Sequence, residues 1–153
     1  SNSTEVDPNH SFLQFFGNDR TGVVAGQRWS QDWEGRPPKI LWKVPIGEGW
    51  AGFAVTGNLA ITVHQTSQGE ATVAMDCRDG KTRWETPLSA IRHFHPLGGA
   101  GPRMTPTIDG SSVYVFGAAG DLQCLKLSSG EVIWKRNLLE EVGLSKAQAE
   151  EAV

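Results

Sequence analysis

The apolar positions between residues 53 and 138 come in short runs separated by glycine-bearing turns, not in the longer three-four spacing of helices. Ala60-Ile61-Thr62-Val63 and Val113-Tyr114-Val115-Phe116 carry the β-branched and aromatic residues that suit a pleated, half-buried surface. Each follows a shorter apolar run and a turn: Phe53-Ala54-Val55-Thr56-Gly57-Asn58 in one case, Thr105-Pro106-Thr107-Ile108-Asp109-Gly110 in the other. Each is followed by a hairpin pattern, a strand, a turn ending in glycine and a second strand that reaches a tryptophan. Asp79-Gly80, Asp109-Gly110 and Ser129-Gly130 place glycine where a turn needs positive φ. The pattern predicts two four-stranded antiparallel meanders.

The two units repeat one another. Ala74-Met75-Asp76-Cys77-Arg78-Asp79-Gly80-Lys81-Thr82-Arg83-Trp84 aligns without a gap to Cys124-Leu125-Lys126-Leu127-Ser128-Ser129-Gly130-Glu131-Val132-Ile133-Trp134, offset by 50 residues. Ile40-Leu41-Trp42-Lys43-Val44-Pro45 repeats the last strand once more, upstream. Spacings of 42 and 50 residues between Trp42, Trp84 and Trp134 match the blade length of a β-propeller. The expected fold is therefore all-β: antiparallel four-stranded blades of a partial propeller, two blades plus one outer strand, with a short C-terminal helix. Residues 1–38 read as an irregular N-terminal lead, 39–138 as the partial propeller and 139–153 as a helical segment. Within the propeller, 39–45 is the outer strand, 51–88 the first blade and 103–138 the second, with a long loop over 89–102. Ser145 is a plausible helix N-cap.

The pattern Ala-x-Asp-x-x-x-Gly-x-x-x-Trp resembles the tryptophan-docking repeat of the pyrroloquinoline-quinone-repeat, or quinoprotein dehydrogenase-like, propellers. Ala74, Asp76, Gly80 and Trp84 match it; in the second blade Gly130 and Trp134 match, while Cys124 and Lys126 replace the small residue and the Asp. The lead Phe16-Gly17-Asn18-Asp19-Arg20-Thr21-Gly22-Val23 and the run Gly101-Pro102-Arg103-Met104-Thr105-Pro106-Thr107 are similar to segments of such propellers. In such a repeat the tryptophan fills the gap between neighbouring blades and its indole N–H needs a buried partner. Trp42, Trp84 and Trp134 are accordingly expected in the core, with Trp29, Trp33 and Trp50 more exposed. Asp76 is expected to bond the turn backbone.

Composition changes this picture little. The chain has 153 residues, a net charge of −3 and no apolar run long enough to cross a bilayer, so neither nucleic acid nor a membrane span is expected. Cys77 and Cys124 lie outside any Cys-x-x-Cys pair and read as two free thiols. His93 and His95 share one side of an extended segment and are metal candidates, with His64 or His10 as conceivable further ligands, but zinc needs three or four, so no metal is expected. Arg92, His93, His95 and Arg103 make one loop locally basic and form a candidate ligand loop for anions or acidic partner surfaces.

Relatives that oxidise alcohols or sugars hold pyrroloquinoline quinone against calcium and use a carboxylate base, with these groups spread over several blades of a closed ring. No local set of that kind stands out here, so catalytic residues and cofactors are not assigned. The expected function is a non-catalytic scaffold that binds a protein or small ligand through its loops. The alternative is the N-terminal part of a quinone-dependent alcohol or sugar oxidoreductase with its active site mostly outside these residues. Only in that case are pyrroloquinoline quinone and calcium the cofactors. The resemblance also implies an extracytoplasmic location, periplasmic or secreted. It further implies that the open blade faces meet the remaining blades of a longer chain or associate with one another.

Overall fold

A computed structural model of the protein describes residues 11–24 and 31–144. Strands β1 (Ala54–Thr56), β2 (Leu59–Thr66), β3 (Gly69–Asp76) and β4 (Thr82–Ser89) form one antiparallel sheet in chain order. A two-residue pair follows, β5 (Phe94–His95) with β6 (Gly99–Ala100). Strands β7 (Thr107–Asp109), β8 (Ser112–Phe116), β9 (Asp121–Lys126) and β10 (Val132–Asn137) make the second four-stranded sheet. Helix α1 (Leu138–Glu141) ends the described chain, capped by the Asn137 side chain and closed at Gly143 with φ +71°. The architecture is the all-β one the repeat predicts, two antiparallel blades with a single short helix among the described residues.

The blades stack face to face. Cross-strand register aligns Ala54, Ile61, Ala74 and Trp84 in one row across the first sheet, on the side that meets the second. Ile108, Val113 and Leu125 form the facing row. These side chains, with Val63, Leu88, Val115 and Leu127, make the hydrophobic core. At its outer end Trp84, only 8% exposed, donates its indole N–H to the Leu127 carbonyl at 3.0 Å. Its six-membered ring lies on Gly130, where an added Cβ would run into Cε3 and Cδ2. Gly130 has φ +71°, so the same residue permits the turn and the close approach of the ring. Thr86, two residues on, donates its hydroxyl to the Gly130 carbonyl at 2.6 Å.

The same device recurs one repeat earlier. Trp42 donates to the Cys77 carbonyl at 2.7 Å and its ring lies on Gly80, φ +73°. The turn beneath is equally repeated: Gly80 N–H bonds the Asp76 carbonyl and Gly130 N–H bonds the Lys126 carbonyl, both at 2.8 Å. Two sequence expectations are corrected here. Residues 39–45 do not form an outer strand; the segment is held to the first blade by Trp42, with a backbone bridge only at Glu48 to Gln65. A strand needs a ladder partner along its length, and side-chain docking supplies none. The tryptophans, expected alike in the core, also differ. Trp42 is half-buried and Trp134 is 40% exposed, because among the described residues no further sheet covers the second blade.

Part of the lead, around Phe12 and Leu13, is tied to both blades. Phe12 exchanges backbone bonds with Val55 at 2.8 and 2.7 Å, and the Leu13 carbonyl accepts from Ile108 N–H at 2.8 Å. One short stretch thus covers the free edges of both innermost strands, which would otherwise offer a template for pairing. The expected loop over 89–102 contains the β5–β6 hairpin. Trp33 and Trp50 are exposed, as expected. Trp29, His10 and Ser145, with the rest of the expected helix beyond Leu144, lie outside the described residues.

Two buried carboxylates sit in opposite surroundings. Asp76, at the end of β3, accepts the Arg78 N–H at 2.9 Å, the Arg78 guanidinium at 2.9 and 2.7 Å, and the Arg83 guanidinium at 3.1 Å and in a second, shorter contact. Arg78 first, then Arg83, holds its carboxyl far below the usual carboxylate range. In the second blade Lys126 takes this position and pairs with Glu131 at 2.6 Å, so the turn survives inversion of the charge. Glu70, 2% exposed, points at the second blade and accepts only the Ala118 N–H, at 3.0 Å. Its Oε1 has no partner among the described residues, and neither do the buried Thr72 Oγ1 and Gln123 Oε1. Burial therefore raises the Glu70 carboxyl, with Ala118 opposing and Asp121 adding to the rise.

Two predictions follow from this packing. Trp84→Ala should cost about 3–5 kcal/mol in denaturant melts, the range for emptying a large buried aromatic site. Trp134→Ala should cost well under half as much, and a Trp84→Ala loss below about 1 kcal/mol would reject the docking role. For Glu70, a folded-state pKa above the unfolded value adds stability below about pH 4.3 and withdraws it as pH rises through the folded value. Glu70→Gln keeps an acceptor for Ala118 and removes the charge. It should match or exceed the parent's melting temperature at pH 7, and the gap should close as pH falls towards about 4. A variant clearly less stable at pH 7 would mean that the buried carboxylate is well solvated by donors.

Candidate functional site at the inter-blade hairpin

The candidate loop residues cluster around β5 and β6, and residues far away in sequence hold them. Gln65, at the end of β2, is buried; its Oε1 accepts the His93 backbone N–H at 2.6 Å. Its own backbone exchanges bonds with Glu48 at 2.7 and 2.9 Å. The Glu48 carboxylate in turn takes the Arg92 guanidinium at 3.2 Å, and both side chains are more than half exposed. An exposed pair of this kind contributes little stability, but it cancels part of the basic character expected of the loop. A shallow cleft of about 330 Å³ lies beside it, lined by Ile46, Gly47, Glu48, Gln65, Thr66, Ser67 and Arg92.

Backbone bonds brace the hairpin itself. Gly98 N–H reaches the His95 carbonyl at 3.1 Å, Gly101 N–H the His93 carbonyl at 3.0 Å, and Trp50 N–H the Pro102 carbonyl at 2.8 Å. The Arg103 guanidinium lies on Gly98 and the Trp50 indole on Gly99, both close enough that a larger residue at either glycine would meet them. Phe94 and Leu97 point outward, 69% and 94% exposed. The hairpin thus presents an arginine, two aromatic rings and a leucine on a fixed frame.

His93 and His95 flank Phe94, and His95 Nδ1 accepts the Leu97 N–H at 3.2 Å. His64 is committed elsewhere: its Nδ1 accepts the Gly47 N–H at 2.9 Å and its Nε2 lies 3.7 Å from Glu85. Among the described residues no group of three or more His, Cys, Asp or Glu side chains is placed to hold a metal ion. Both cysteines are unpaired; Cys124 is buried, and half-buried Cys77 has its thiol pushed up by burial and by the Asp76 carboxylate. Arg92 and Arg103 keep the places the sequence indicates. Glu48, Gln65 and Trp50 were not legible as part of this site, because strand pairing, and no local spacing, brings them to residues 92–103.

The family description "outer membrane protein assembly factor BamB" matches residues 69–152, more than half of the chain. Among solved structures, BamB from Moraxella catarrhalis aligns at 22% identity with a TM-score of 0.39, covering 52% of this chain and 20% of that one. The quinohemoprotein alcohol dehydrogenase from Comamonas testosteroni aligns at 20% identity with a TM-score of 0.43, covering 61% of this chain and 14% of that one. The chain therefore spans a fifth or less of the length of either. No curated protein matches it. Repeated Gly–Trp docking and a match over more than half its length together show that the chain belongs to the BamB family of pyrroloquinoline-quinone-repeat β-propellers.

Proposed function

We propose that this chain is a non-catalytic propeller scaffold that binds a protein through the inter-blade hairpin, in an extracytoplasmic compartment. The observation that carries the reading is the exposed set Trp50, Phe94, Leu97 and Arg103, held on a backbone braced by buried Gln65. Aromatic residues and arginine dominate the energetics of protein interfaces. Preformed loops lower the ordering cost of association. The surface suits a partner that offers apolar side chains beside carboxylates. A family described by its part in assembling outer-membrane proteins supports a protein partner over a small ligand. None of the helices among the described residues is long and apolar enough to cross a membrane.

A displayed peptide library selected on the immobilised chain tests this. Selected peptides should combine acidic and apolar residues, and Phe94→Ala with Arg103→Ala should weaken their binding by about tenfold or more, a hot-spot loss. Unchanged binding by the double variant would remove the hairpin from the interface. Dye reduction by the full-length protein after addition of pyrroloquinoline quinone, calcium and an alcohol or sugar would instead favour the oxidoreductase reading.

A further inference from the structure

We infer that His64 is a pH-sensitive latch on the stretch Ile46-Gly47-Glu48. While neutral, its ring ties that stretch to the first blade; once protonated, it gives up the tie and pairs with Glu85, so acid loosens the brace of the inter-blade hairpin. The inference holds whatever the hairpin binds.

The stretch before β1 lies along the end of β2. Glu48 exchanges backbone bonds with Gln65, Trp50 N–H reaches the Pro102 carbonyl, and the Thr62 hydroxyl donates to the Gly52 carbonyl at 3.1 Å. Those backbone and hydroxyl bonds do not change with pH near neutrality. The Gly47 N–H is held differently, by donating to His64 Nδ1 at 2.9 Å. That bond needs the Nδ1 lone pair. An imidazolium carries a proton on both ring nitrogens and accepts nothing. Protonation would set the Nδ1 proton against the Gly47 N–H, donor against donor.

The other ring nitrogen supplies the alternative. His64 is 6% exposed, and Nε2, which carries the proton in this tautomer, is buried without a hydrogen-bond partner. Glu85 Oε2 stands 3.7 Å from it. That is too long for a hydrogen bond and close enough to favour a charged ring. The other neighbours do not compete. Strand β3 places Ala71 opposite His64, and Val73 opposite both Thr62 and Glu85. Arg83, two residues before Glu85, is held by Asp76, and the Glu48 carboxylate by Arg92. Gln65, the next residue of β2, faces the opposite side of the sheet and holds the His93 N–H there. A neutral ring therefore serves Gly47 and leaves Nε2 unpaired; a charged ring gains Glu85 and loses Gly47. The docked arrangement refuses a proton that the undocked one accepts, so docking weakens as pH falls.

The consequence reaches the hairpin through Glu48, the residue after Gly47. Its backbone bonds Gln65, whose side chain holds His93, and its carboxylate holds Arg92. Ile46, Gly47 and Glu48 also form one wall of the shallow cleft beside the hairpin. Releasing Gly47 thus frees that wall and slackens two contacts of the loop at once.

Amide NMR with hydrogen-exchange protection factors, taken between about pH 8 and about pH 5, tests the latch. As the His64 ring becomes protonated, followed by its own nitrogen shifts, protection at Gly47 should fall by about tenfold, the scale of one lost hydrogen bond. Val55 and Ile108, whose amides bond the Phe12–Leu13 stretch, should stay protected. His64→Asn places an acceptor that does not titrate where Nδ1 lies, and should keep Gly47 protected throughout. Glu85→Gln should move the loss to lower pH. His93→Gln combined with His95→Gln should leave the response at Gly47 intact, which separates it from titration within the hairpin. Circular dichroism establishes that each variant is folded, and the ring and amide signals of the parent chain decide the matter if His64→Asn is not. A ring that stays neutral down to about pH 5, Gly47 protection that persists after the ring is charged, or an equal loss in folded His64→Asn would overturn the inference.

Discussion

The seat of an indole on a glycine in the left-handed region, with its N–H on a buried carbonyl, is the interaction on which the rest depends. A flat ring of this size needs a neighbour without a Cβ, and a five-residue turn needs positive φ at one position. Gly80 and Gly130 meet both needs at once. At Gly130 the contact joins the two blades at the outer end of the core between the Ile61 and Val113 rows. The indole hydrogen bond matters as much as the ring, because an unpaired N–H at such a site costs the desolvation of a polar group.

Polar groups in the same interface add direction to this packing. The Gln123 amide donates to the carbonyls of Pro87 and Leu88, and Glu70 accepts from the β8–β9 turn. These contacts set how one blade lies along the other, a property that an apolar surface specifies weakly. Asp76 has the opposite role. Its charge is compensated by two partly exposed guanidiniums, so it stabilises the turn above its unfolded pKa and withdraws that support as pH falls. In the second blade the exposed pair Lys126 and Glu131 stands in its place, so the same turn forms with either sign of charge at this position.

The inter-blade hairpin shows how a rigid repeat acquires a variable surface. Its backbone is braced from outside, by Gln65, Trp50 and Arg103, so its exposed side chains need no regular structure of their own to stay in place. The Phe12–Leu13 stretch applies the same economy at the other end of the blades, using a few backbone bonds to cover two strand edges.

The sequence by itself determined the repeat, the four-stranded meanders, the glycine turns and the tryptophans that close each unit, because strand period, turn chemistry and spacing are local properties. It placed Arg92, His93, His95 and Arg103 in one loop for the same reason. It did not distinguish Trp84 from Trp134, which have the same local pattern and differ only in what lies over them. Nor did it show that residues 39–45 dock without pairing, that residues 12–13 bind two blades, or that Glu48 neutralises Arg92. Those were decided by the tertiary structure, because ladder pairing, burial and ion pairing depend on which surfaces meet across tens of residues, and no local pattern records that.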